Sequence, residues 1–161
     1  MASEPVEIAD LIERVMSGDP WHGPSVKKVL DGVSADAAAR RPLASAHSIW
    51  ELVIHMTGWT REVTARLRGR AAQEPEAGDW PAIGEPTEAR WREAQSALFA
   101  AHRDLADAIR QIDPATLPRP VVDFRDNALG TGLSHYVTLH GLLHHTLYHA
   151  GQVAILRRAL E

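Results

Sequence analysis

Apolar residues in this chain recur with the period of an α-helix almost from end to end, and nowhere do they keep up the strict alternation of a β-strand. The cleanest stretch is the third of four segments. Trp91, Leu98, Leu105 and Ile112 repeat every seventh residue, and Ala94, Ala101 and Ala108 fill the alternate positions. Spacings of three then four residues put these side chains on one seam of a helix, and alanine in the seam lets a neighbouring helix approach closely. A chain patterned in this way folds by packing helices on helices.

The other segments fit the same reading. From Pro5 to Met16, Ile8, Leu11, Ile12 and Val15 share a face. Gly18, Pro20, Gly23 and Pro24 interrupt it before Val26, Val29, Leu30 and Val33 resume the pattern, so the spacing predicts one helix with a break or two in line. A second segment opens with Ser48-Ile49-Trp50-Glu51. There the serine and the glutamate three residues on can satisfy two orphan backbone donors as a capping box. Ile49, Leu52, Val53, Met56, Val63 and Leu67 carry this helix to about Ala72. A Pro/Gly-rich loop follows, from Glu74 to Pro86. After the third segment stops at Asp113-Pro114, a connector with three prolines and two glycines leads to the fourth, about Leu133 to Ala159. Within that connector, the Val121–Phe124 run carries a weak signal for a short extended piece. The expected architecture is all-α: a four-helix bundle with a broken first helix and long connecting loops, in one domain over residues 1–161.

Composition narrows the function. There is no cysteine, which excludes disulfides, thiolate-ligated zinc and a cysteine nucleophile. The net charge of −4 argues against an electrostatic nucleic-acid binder. No apolar run approaches the ~20 residues of a membrane span. The acidic, amphipathic N-terminus is not patterned as a signal peptide, so the expected location is cytoplasmic.

Five of the nine histidines fall between His135 and His149. His145 and His149 are one turn apart on the fourth segment, about 40° from each other on a helical wheel. Leu142, Val153 and Leu156 flank them, so the pair is expected to face inward and to grip one divalent metal ion. His140 and His144 share the spacing but lie about 100° away, toward the helix edge. Zinc-type catalytic centres use three protein ligands and leave a position open. His55, two turns into the capped helix, is the best third ligand. Three neutral imidazoles leave the ion its full charge, which lowers the pKa of bound water or of a bound thiol. His22, His47, His102 and His135 read as loop or surface residues. Trp91 reads as core, and Trp59 as core or cleft wall. Glu51 has two candidate roles, base or ligand-orienting group against capping residue. Tyr148 and Gln152 flank the pair and are candidates for the cleft.

The segments His47–Trp59 (HSIWELVIHMTGW) and His144–Arg158 (HHTLYHAGQVAILRR) together resemble the DinB-like (DinB/YfiT-like) metalloenzyme superfamily. Trp21–Ser25 (WHGPS) is similar to a subgroup of it. The resemblance implies an up-down-down-up bundle with a metal, nickel or zinc, on three histidines, here His55, His145 and His149. It also implies frequent homodimers, and relatives that are transferases or isomerases using low-molecular-weight thiols. The expected function is therefore a metal-dependent S-transferase or hydrolase acting on a small-molecule substrate, with the thiol supplied by a cofactor. The alternative is a non-catalytic metal- or ligand-binding bundle. Neither nucleic acid nor membrane is an expected partner.

Overall fold

The structure, a computed structural model, describes residues 2–125 and 132–161. Among them the chain is helical and forms no strand. The elements are α1 (Glu4–Ser17), α2 (Val26–Leu30), α3 (Ala35–Ala39), α4 (Ile49–Leu67), α5 (Glu88–Arg110), a 3₁₀ turn (Pro114–Thr116) and α6 (His135–Leu160). The long helices α1, α5, α4 and α6 pack in that order as a ring, with α1 also touching α6; α2 lies against α1 and α6, and α3 against α4 and α5.

Local chemistry sets the boundaries. Ser48 caps α4, and the capping box is complete: its hydroxyl accepts from the Glu51 N–H, and the Glu51 carboxylate accepts from the Ser48 N–H. At the other end α4 stops at Leu67, short of the expected Ala72. The reason is Gly69 at φ +94°, which lets the Arg70 N–H reach the Ala65 carbonyl and the Gly69 N–H the Arg66 carbonyl. These two bonds satisfy carbonyls that the helix leaves open, in a Schellman motif. The break expected in the first segment separates α1 from α2. The sequence reading did not foresee α3, a single turn capped by Ser34.

The seam of α5 lies in the core, with Trp91, Leu98 and Leu105 at most 1% exposed. The Trp91 indole N–H also donates to the Val33 carbonyl. Val121–Phe124 forms no strand; beside an isolated bridge between Pro120 and Ser134, the Val121 N–H donates to the Leu133 carbonyl and the Val122 carbonyl accepts from the Ala72 N–H. The end of that connector, residues 126–131, lies outside the described residues. No helix among the described residues is long and apolar enough to cross a membrane.

One sequence reading of histidine needs correction. His102 is not on the surface but 3% exposed in the core. It sits one turn after Leu98 and three residues before Leu105, beside the seam. Its Nδ1–H donates to the Leu98 carbonyl, and Nε2 lies 3.3 and 3.4 Å from the hydroxyls of Thr60 and Thr146. Burial pushes its pKa down to about 4. His47 is half-buried, with its ring stacked on an indole. His22 is exposed in the turn between α1 and α2, as expected, and His135 is half-buried at the start of α6.

Candidate metal centre

Helices α4 and α6 are neighbours, and their facing sides bring three imidazoles to one point. His55 and His149 are buried and His145 is half-buried. The Nε2 atom of His145 lies 2.9 Å from that of His55 and 3.1 Å from that of His149. His144 is exposed and takes no part, and the His140 Nδ1–H donates to the Tyr136 carbonyl of its own helix. The helical wheel separated the two pairs correctly because Leu142, Val153 and Leu156, all buried, fix which side of α6 faces inward.

Neighbouring groups orient two of the rings. His55 Nδ1 is 2.8 Å from the Asp79 carbonyl, which can only accept, so the proton is on Nδ1 and the lone pair of the neutral ring is on Nε2. His149 Nδ1 is 2.7 Å from Gln152 Oε1, with the same result. Both lone pairs therefore point at His145. Its Nε2 carries at most one proton for two close contacts, so the three neutral rings cannot satisfy each other. A divalent cation accepts all three lone pairs at once, so this donor set fits such an ion. The same crowding appears in the protonation behaviour. Burial, then the neighbouring His149 and His55, pushes the His145 pKa down to about 4, and burial also lowers that of His149. The Nδ1 of His145 is buried without a partner among the described residues.

The loop between α4 and α5, residues 68–87, closes one side. It delivers Asp79 to His55 and lays the Trp80 indole between two imidazoles. Trp80 is stacked on His47 at 3.5 Å between centroids and on His55 at 3.8 Å, both nearly parallel. The Trp59 indole N–H donates to the Asp79 carboxylate at 2.7 Å, and the ring packs half-buried against the core. A cavity of about 310 Å³ adjoins, with His47 and Gln152 among its polar walls and Leu43, Leu52, Ile155 and Leu156 among its apolar ones.

Glu51 is occupied elsewhere. Besides capping α4, it pairs with the Arg41 guanidinium. Burial opposes its ionisation, but hydrogen bonds from Arg41 and Ser48 hold its carboxyl at about 2. Tyr148 is largely exposed, with its ring centroid 5.1 Å from that of His149 in an edge-on arrangement. Sequence reasoning missed Asp79, Trp80 and His47. The loop has no periodicity, and the group that Asp79 offers to His55 at shortest range is a backbone carbonyl, which any residue carries. The one available signal was Asp79-Trp80 itself, an acid and an aromatic in a stretch otherwise rich in Pro, Gly and Ala.

A helical protein in which two neighbouring helices converge three imidazoles defines a class, the all-α proteins with a candidate histidine metal centre. The chain belongs to the DinB superfamily, whose family model matches residues 23–153 and so covers all three histidines. No curated protein and no solved structure matches the chain.

Proposed function

We propose that His55, His145 and His149 hold one divalent metal ion, nickel or zinc, and that the protein is a metal-dependent enzyme of the S-transferase or hydrolase type. The observation that carries this reading is the convergence of three Nε2 atoms, two with their lone pairs aimed inward by Asp79 and Gln152. Bound there, the ion supplies positive charge that lowers the pKa of a coordinated thiol or water toward neutrality. Three protein donors leave coordination positions free, which favours catalysis over a closed structural site. The chain has no cysteine, so a thiol nucleophile comes from a low-molecular-weight cofactor. The residues themselves hold the ligands in orientation and cover one face of His55 with Trp80. The adjoining cavity offers an apolar wall to the carbon skeleton of a small substrate.

The finer architecture belongs to the same proposal: one domain, helices running up-down-down-up, and a homodimer in the cytoplasm. The outer face of α6, with Val137, Tyr148 and Ile155 exposed, supports association of two copies. The alternative, a non-catalytic metal- or ligand-binding bundle, would require an ion with no position open to the cavity.

The test is to titrate metal-free protein with Zn²⁺ and Ni²⁺. The expected result is a dissociation constant below about 1 µM for at least one ion, weakened roughly 100-fold or more in His145→Ala. Binding that survives this substitution unchanged overturns the reading.

A further inference from the structure

Asp79 is held between two side chains of α4 that lie one turn apart on the same face, His55 and Trp59. The Trp59 indole N–H takes its carboxylate at 2.7 Å, while its carbonyl takes the His55 Nδ1–H at 2.8 Å. The carboxylate is also 3.2 Å from the same Nδ1. Trp80, the next residue, stacks on the face of the His55 ring, and His47 stacks on the far side of Trp80. The His55 ring is thus fixed in its plane by Asp79 and across its plane by Trp80. By contrast, His149 draws its support from its own helix, through Gln152, and the His145 Nδ1 has no partner among the described residues. Nothing on α4 itself holds the His55 Nδ1, so its proton position depends on the seating of a loop.

We propose that Asp79 is the positioning residue for His55, with Trp59 as its anchor: the Trp59 hydrogen bond seats the loop, and the seated loop keeps the proton on Nδ1 and the lone pair on Nε2. This rests on the reading of His55 as a metal ligand. Groups that orient a ligating histidine in this way typically change metal affinity 10–100-fold when removed. Trp59 therefore acts on the centre without touching it.

The experiment compares the full-length wild type with Asp79→Ala, Trp59→Phe and Asp79→Asn, using two readouts. The first is Zn²⁺ affinity from titration of metal-free protein. The second is the His55 imidazole tautomer in the metal-free protein, from ¹⁵N–¹H NMR of the ring. Asp79→Ala and Trp59→Phe are each expected to weaken zinc about 10-fold and to turn a pure Nδ1–H tautomer into a mixture. Asp79→Asn keeps an acceptor for the indole and is expected to restore both. A merely structural role would lower the melting temperature and leave affinity and tautomer alone. That result in Asp79→Ala and Trp59→Phe, or no rescue by Asp79→Asn, overturns the proposal. If the wild type takes up neither zinc nor nickel, the metal reading falls, and the tautomer comparison still decides the role of Asp79.

Discussion

At the scale of single residues, the nine histidines divide by what their neighbours allow. Three of them converge in the candidate centre. His102, a fourth, is buried 44 residues in sequence from Thr146 yet beside it, with its Nε2 near two hydroxyls whose own protons go to the Met56 and Leu142 carbonyls. The folded state therefore holds His102 neutral down to about pH 4, while the unfolded chain protonates it near its ordinary value of 6.5. Above 6.5 both states are neutral and stability is complete. Between 6.5 and 4 the unfolded state binds the extra proton, so stability falls on acidification, by a few kcal/mol in all, and levels off below 4. His102→Leu leaves both threonines bonded to their carbonyls. Its expected stability at pH 7 is within about 1 kcal/mol of wild type, with a shallower acid limb in urea unfolding between pH 7 and 4. The slope does not vanish, because the pKa values of His145 and His149 are lowered in the same direction. The position of His102 was legible: it lies four residues after Leu98, and attention to the seven-residue repeat alone passed over it. His145, His149 and His55 were legible because an apolar stripe marks which side of each helix is inward. Whether Gln152 packs or orients a ligand was not legible, since both roles use the same side chain on the same face.

At the scale of elements, α4 organises more than its own length. Beyond its Schellman stop, the chain returns along it. Glu62, 1% exposed, accepts from Arg66 at 3.1 Å, from Arg70, and from the Gln73 N–H at 2.9 Å, while Arg66 also donates to the Gln73 carbonyl. Farther along, Gly58 leaves room for Pro75: a Cβ there would sit 3.2 Å from the proline ring. These contacts seat the loop before it reaches Asp79. Glu62→Ala strands the largely buried Arg66 guanidinium without its carboxylate, and the expected loss is about 3–5 kcal/mol in chemical denaturation. Glu62→Gln, which keeps an acceptor, is expected to lose less. A variant as stable as wild type would show that solvent replaces the carboxylate at no cost. The helices themselves were legible from periodicity and from the Ser48 cap. The overshoot of α4 to Ala72 came from letting apolar content outweigh Gly69, which marks the true end. The loop's course was not legible, because it is fixed by long-range contacts and not by its own pattern.

At the scale of the whole molecule, the candidate centre joins α4 to α6. Binding to the folded state alone stabilises it by RT ln(1 + [L]/Kd), about 4 kcal/mol when free ion is a thousand times Kd. For a chain of this size that is a rise of roughly 10 °C in melting temperature. Zn²⁺ or Ni²⁺ is expected to raise the melting temperature of the wild type by about this amount and that of His145→Ala by no more than about a third of it. An equal rise in both would place the ion elsewhere.

The route from His55 to its loop is short, and the route from His55 to its partners is long. His55 and Asp79 are 24 residues apart, whereas His55 and His145 are 90. One half of the centre is thus built by a local hairpin of helix and loop, and the other by a turn and a half of α6. The half built by α4 and its loop can form in the newly made chain before α6 exists. Joining them closes a long circuit, and the entropy of that closure grows only slowly with length. Insertions between α5 and α6 should therefore be tolerated far better than an equal insertion between His55 and Asp79.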